Sequence, residues 1–136
     1  MFNKSICIVG GAGHVGAPLG LAFSSKGYKV VLIDKNIKNI KKINNGKMPF
    51  LEDGCEILLK KMIGKKKIIA SADLTNVKKS KYVIICLGTP VNKKFNPILK
   101  NFVNFFYSLK KHLSKKHIVI IRSSIFPGIS DKVFNI

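Results

Sequence analysis

The sequence predicts a doubly wound α/β fold, a parallel β-sheet with helices on both faces. Three observations carry that expectation. Short apolar runs alternate with longer stretches whose apolar residues recur at helical spacing, which is the pattern of strand–helix–strand units. The runs are nearly unbroken rather than alternating, as in Tyr82 to Leu87, and so suit strands covered on both faces. A glycine-rich turn, Gly10 to Gly16, separates the first run from the first helical stretch.

Residues 4 to 9 form the first strand, and the helix after the turn runs to about Lys26 with Val15, Leu19, Ala22 and Phe23 as its apolar positions. Gly27 is placed to end that helix as a cap, and Tyr28 to Ile33 reads as a second strand closing on Asp34. Ile37, Ile40 and Ile43 mark a short helix that the Asn44-Asn45-Gly46 breaker ends. A loop around Met48-Pro49-Phe50 leads to a further helix carrying Ile57, Leu58, Met62 and Ile63, which Gly64 should stop. Lys67 to Ala70 reads as a short third strand, and Tyr82 to Leu87 as the fourth, ended by Gly88-Thr89-Pro90. After a polar loop through Asn96-Pro97, the spacing of Ile98, Phe102, Phe106, Leu109 and Leu113 gives an amphipathic helix. Ile118 to Ile121 is then the next buried strand, ended by Arg122-Ser123-Ser124, and Ile125 to Ile136 are too few for another unit. Right-handed crossovers between these strands place helices on both sides of the sheet.

Length and composition limit the function classes. At 136 residues with 46% apolar content the chain is one domain with enough apolar surface for a continuous core. It has no apolar run long enough to span a bilayer, and Met1-Phe2-Asn3-Lys4 leads directly into a strand-like segment, so a cytoplasmic location is expected. Cys7 and Cys86 lie inside apolar runs and read as small buried hydrophobes, and with Cys55 they form neither a disulfide framework nor a metal-ligand spacing. The net charge of +19 raises the question of nucleic acid. Its distribution argues against a base reader: Arg122 is the only arginine, and the lysines are scattered in twos and threes without interleaved aromatics. A solvated basic surface, with weak salt-dependent attraction to polyanions, is the expectation.

Gly11, Gly13 and Gly16 fit the G-x-G-x-x-G dinucleotide fingerprint, and context strengthens it. The triplet follows a strand, opens a helix, and precedes by about a βαβ unit an acidic residue, Asp34, at the end of the second strand. Gly11 would permit the tight turn, Gly13 the approach of a pyrophosphate, and Gly16 the close packing of helix on strand. The unpaired amides around His14 and Val15 would then face the phosphates. Asp34 can accept hydrogen bonds from the adenosine ribose and repel a 2′-phosphate, favouring NAD over NADP, although Lys35 and Lys38 stand close enough in sequence to offset that charge. The His14 side chain reads as a variable position on the turn rather than a base. If the strand order is the usual one, the ends of the first, fourth and fifth strands converge, bringing the glycine turn to Gly88-Thr89-Pro90 and Ser123-Ser124. Thr89 and Ser124 are hydroxyls suited to the nicotinamide ribose or amide, and equally suited to ordinary turn capping.

These segments together resemble a known family. Residues 11–23 from Gly11 to Phe23, Asp34-Lys35-Asn36, the stretch from Asn45 to Glu52, Leu58-Leu59, Gly88-Thr89-Pro90-Val91 and the stretch from Arg122 to Gly128 resemble, in order, the Rossmann-type N-terminal domain of UDP-glucose/GDP-mannose 6-dehydrogenases. The likeness is greatest to members that oxidise UDP-N-acetylmannosamine. It covers residues 1–136 as one NAD-binding domain, truncated relative to the family at its C-terminal end. The resemblance implies NAD as cofactor and two hydride transfers that convert a sugar C6 alcohol to a carboxylate, in an enzyme serving polysaccharide biosynthesis. It places Thr89 on the cofactor and Ser124, where the family carries Thr, near the nicotinamide and the reacting centre, as both a cofactor contact and a catalytic residue. Glu52 matches without an assigned role.

The resemblance also implies what this stretch does not carry. Family members continue into a long dimer-forming helix and a second domain that binds the nucleotide sugar and supplies a cysteine nucleophile. Cys7, Cys55 and Cys86 match no such motif, so the chain alone is expected to lack the complete reaction. The alternative is a non-catalytic dinucleotide-binding or regulatory module descended from such an enzyme.

Overall fold

The structure is a computed structural model in which residues 4–89 and 99–136 are described. The expectations for Met1 to Asn3, for Pro90 and Val91, for the loop at Asn96-Pro97 and for Ile98 lie outside those residues.

Five strands form the sheet: β1 (Ser5–Val9), β2 (Lys29–Ile33), β3 (Ile68–Ser71), β4 (Tyr82–Ile85) and β5 (Ile118–Ile121). All are parallel, in the order β3-β2-β1-β4-β5. The helices are α1 (Gly16–Ser25), α2 (Ile37–Asn44), α3 (Cys55–Gly64), α4 (Leu99–Lys110) and α5 (Ile129–Phe134), with a 3-10 helix at Leu74–Lys79. The alternation of side chains along each strand divides the core in two. Ile6, Ile8, Val30 and Leu32 face α1, α2 and α3 through Ala17, Leu21, Ile40, Ile43, Leu59 and Met62. Cys7, Val9, Val83 and Ile85 face α4 and α5 through Phe102, Phe106, Leu109 and Ile129. This is the Rossmann-type, doubly wound arrangement that the unbroken apolar runs of β1, β2 and β4 predict.

The first three helices stop in one way. After α1, the Gly27 amide donates to the Ser24 carbonyl and the Tyr28 amide to that of Phe23, with Gly27 at φ +93°. The Phe23 and Tyr28 rings meet edge to face across the stop, 5.8 Å apart. Gly46, at φ +73°, ends α2 with the same pair of bonds, made to Ile43 and from Lys47 to Lys42. These are Schellman stops, which need a left-handed residue. The stop after α3 departs from expectation. Gly64 remains inside the helix, and the left-handed residue is Lys66 at φ +53°, the one non-glycine residue with positive φ among those described.

The two edges of the sheet differ. On β3, the Ala70 side chain is buried while its amide and carbonyl point away from β2, and the Asn44 carboxamide meets both at 2.8 Å. On β5, no described side chain closes the outward groups, and Ile118, Val119 and Ile120 are 47, 36 and 43% exposed. The expectation of a buried strand is therefore corrected. Composition makes Ile118 to Ile121 fit for burial, but only Ile121 packs into the α4 and α5 core. Ile118 and Ile120 turn to the other face, where α1, α2 and α3 lie over the far end of the sheet, and Val119, on the face of Ile121, stays exposed.

Candidate functional site

The strand order brings the C-terminal ends of β1, β4 and β5 side by side, as the switch-point argument requires. The glycine turn leaves β1 between β2 and β4. Its sharp reversal is made at Gly10, φ +73°, where an added Cβ would meet the Cys86 carbonyl at 2.6 Å. Sequence reasoning gave that role to Gly11 and left Gly10 out of the fingerprint. Gly11 is instead constrained by proximity, since a Cβ there would meet Leu32 Cα at 2.7 Å. Gly16 lets α1 rest on the turn, its missing Cβ pointing at the Gly10 carbonyl and 2.6 Å from Gly11 Cα. Gly13 has only the Gly10 carbonyl near it, at 3.4 Å, which is ordinary contact. Sterics thus require glycine at 10, 11 and 16, whereas at Gly13 the fold itself makes no such demand.

Four hydrogen bonds hold the turn in a closed circuit. The Ala12 amide donates to Asp34 Oδ2 at 3.0 Å, and the Asn36 amide donates to Asp34 Oδ1, also at 3.0 Å. Asn36 caps α2 by accepting from the Asn39 amide at 3.1 Å, and Asn39 Nδ2 returns to the Ala12 carbonyl at 3.2 Å. Asn39 was missed from sequence: the Asn36 cap uses only its backbone amide, and its side-chain partner lies far away in the chain. Above the turn, the exposed His14 ring stacks on Phe50, with centroids 4.0 Å apart. The loop carrying Phe50 and Glu52 therefore adjoins the site.

Beyond the circuit, the amides of His14, Val15 and Gly16 meet no acceptor among the described residues. The first turn of α1 contains no acidic residue and no side-chain cap. Free amides and the positive end of the helix dipole together form an anion-binding terminus. Asp34 stands half-buried beside them with lone pairs left for further donors. The residues present thus fit a dinucleotide: bare amides for phosphate, uncrowded Gly13 for its approach, and a carboxylate for ribose hydroxyls.

At the neighbouring strand ends, the Thr89 hydroxyl donates to the Ser124 carbonyl at 2.6 Å, joining the segments after β4 and β5. With its proton committed, Thr89 Oγ1 has only acceptor capacity left. The Ser124 side chain is exposed, and Ser123 turns back to the Ile85 carbonyl at 3.3 Å. The sequence-predicted residues are therefore gathered on one rim, with the exception of Pro90 and Val91, which are not described.

None of the three thiols is poised as a nucleophile. Burial pushes Cys7 up to about 12. Burial raises Cys55 as well, with the Glu52 charge adding to it. Cys86 is half-buried rather than buried as expected, and its thiol is raised by burial against an opposing pull from Arg122. No group of three or more His, Cys, Asp or Glu able to hold a metal occurs among the described residues, and no helix there is long and apolar enough to cross a membrane.

The profile of the UDP-glucose/GDP-mannose dehydrogenase family, NAD binding domain, matches residues 4–136. GDP-mannose 6-dehydrogenase of Pseudomonas syringae pv. syringae is 32% identical over 124 residues, 87% of this chain and 28% of that protein. UDP-N-acetyl-D-mannosamine dehydrogenase of Pyrococcus horikoshii is 31% identical over 123 residues, 90% of this chain and 29% of that one. Among solved structures, a ternary complex of GDP-mannose dehydrogenase from Pseudomonas aeruginosa is similar with a TM-score of 0.88 and 30% identity, covering 94% of this chain and 30% of its own. UDP-D-ManNAc dehydrogenase from Pyrococcus horikoshii gives 0.87 and 30%, covering 95% and 30%. The chain spans less than a third of the length of these relatives.

Proposed function

Because the chain belongs to the UDP-glucose/GDP-mannose dehydrogenase family, as its NAD-binding domain, we propose that it is the cofactor-holding portion of a nucleotide-sugar 6-dehydrogenase. Its substrate is a UDP-sugar, UDP-N-acetylmannosamine in the first instance, oxidised at C6 from alcohol to carboxylate. The observation that carries the cofactor reading is the conjunction of three unpaired amides at the start of α1 with Asp34 at the end of β2. His14, Val15 and Gly16 donate to the pyrophosphate, Gly13 admits it, Gly11 packs the turn onto β2, and Asp34 accepts from the adenosine ribose. Thr89 accepts from the nicotinamide half, and Ser124 offers a hydroxyl beside the reacting centre. NAD, when bound, supplies the hydride acceptor. None of Cys7, Cys55 and Cys86 is placed to be the thiol that traps the aldehyde, so on this reading that group comes from outside these residues.

Calorimetry separates the levels of the proposal. NAD should bind the isolated chain more tightly than NADP, and Asp34→Ala should weaken NAD by about tenfold or more, the loss of a charge-assisted hydrogen-bond acceptor. Equal binding to both proteins removes Asp34 from the site. The isolated chain should form no NADH from UDP-N-acetylmannosamine or GDP-mannose, and NADH appearing from either would show that the chemistry is complete within these residues.

A further inference from the structure

The closed hydrogen-bond circuit around Ala12 has a member whose role the cofactor reading leaves open. Asp34, Asn36 and the amide of Ala12 account for three of its bonds, and the fourth is the long reach of Asn39 from α2 to the Ala12 carbonyl, across 27 positions in sequence. A peptide unit is planar, with its carbonyl and the following N–H on opposite sides. Holding the Ala12 carbonyl toward α2 therefore turns the Gly13 amide the other way, where it makes only a long contact of 3.3 Å with the Gly10 carbonyl. From Gly13 onward the chain rises into the free amides of His14, Val15 and Gly16. The plane of the Ala12–Gly13 peptide thus sets the direction in which that run begins. Ala12 is fully buried, so neither of its polar groups has bulk water as a substitute partner.

We propose that Asn39 is a positioning residue for the phosphate-binding turn: its carboxamide fixes the Ala12–Gly13 peptide and so aims the amides that follow at the pyrophosphate, without itself touching the ligand. The inference rests on the cofactor reading above. The backbone of Asn39 serves α2 through its bond to the Asn36 cap, so the helix start survives changes to the side chain. Side-chain loss and helix loss are therefore separable.

The test compares wild type, Asn39→Ala and Asn39→Gln. In the ligand-free, isotopically labelled chain, Asn39→Ala should shift or broaden the Gly13 and His14 amide resonances and leave those of Gly27 and Gly46, at the ends of α1 and α2, in place. In titrations, NAD should bind Asn39→Ala about threefold to tenfold more weakly, the range of one lost neutral hydrogen bond. Adenosine, which has the ribose hydroxyls and no phosphate, should bind both proteins alike. Asn39→Gln, which keeps a carboxamide donor, should recover part of the lost NAD affinity. Unmoved Gly13 and His14 resonances overturn the proposal, as does a loss of adenosine affinity in proportion to that of NAD, which would place Asn39 on the nucleoside. Should Asn39→Ala fail to fold, Asn39→Gln is read by the same resonances, since its displaced carboxamide must still move them. Wild type that ignores NAD would refute the cofactor reading, and the ligand-free spectra would still decide the role of Asn39.

Discussion

At the scale of single residues, the glycines of the turn divide by what excludes a side chain from each. A Cβ on Gly16 would press into the Gly10 carbonyl and Gly11 Cα, both of them backbone that cannot yield without moving β1 or α1. Gly16→Ala should therefore cost stability on the scale of an overpacked core, roughly 1–3 kcal/mol, visible as a lowered unfolding midpoint with or without ligand. Gly13→Ala meets only ordinary contact at 3.4 Å and has no positive φ to strain. It should fold with its midpoint little changed and lose most of its NAD affinity, because the added methyl stands where the pyrophosphate approaches. Circular dichroism melts beside calorimetry read both outcomes, and a Gly13→Ala protein that binds NAD normally would show that the ligand does not pass over that residue. The sequence made Gly11, Gly13, Gly16 and Asp34 legible because strand, turn, helix and acidic residue occur at a fixed separation. Gly10 escaped because two adjacent glycines offer two places for one reversal, and nothing local to the pair decides between them. Asn39 escaped because its side-chain partner lies 27 residues away.

At the scale of elements, the helix ends show where local chemistry suffices. Gly27 and Gly46 were readable as stops because glycine adopts the left-handed conformation freely. After α3 the reading failed by two residues: the nearest glycine, Gly64, is spent inside the helix, and Lys66 takes the strained position instead. An L-residue there costs roughly 1–2 kcal/mol relative to right-handed backbone, so Lys66→Gly should raise stability, by up to about 1 kcal/mol after glycine's own entropic cost. Urea unfolding measures it directly, and no gain would mean that the Lys66 side chain has compensating interactions. The 3-10 helix at Leu74–Lys79 was missed for a related reason. It begins with Asp73 accepting from the Thr75 amide at 2.9 Å and buries Val77 alone, so it has too few apolar positions to establish a period. The short α5, likewise, buries only Ile129.

At the scale of the molecule, parallel strands with helices on both faces followed from alternation and handedness, the strand order was assumed to be the usual one, and coverage was not legible. The residues of β4 and β5 are nearly interchangeable in composition, yet β4 lies inside the sheet and β5 at its rim. Whether an apolar strand is covered depends on elements elsewhere in the fold, and no window of local sequence contains them. An exposed apolar rim strand is prone to pair with other chains. The net charge of +19 opposes this through mutual repulsion, which salt screens. Light scattering should therefore find the isolated chain increasingly self-associated as ionic strength rises from about 0.01 to about 1 M. Ile118→Lys with Ile120→Lys should abolish that trend, and a wild-type chain that stays monomeric at high salt would contradict it.

The Asn44 carboxamide on Ala70 limits what such association can become. It acts as a mock residue of a missing neighbour, already docked on β3. Two molecules joined rim to rim would each turn that side outward, with the Ala70 groups already satisfied and less of β3 left as a template for a third. Any further strand added on that flank should then meet an edge partly occupied by a side chain of the molecule itself.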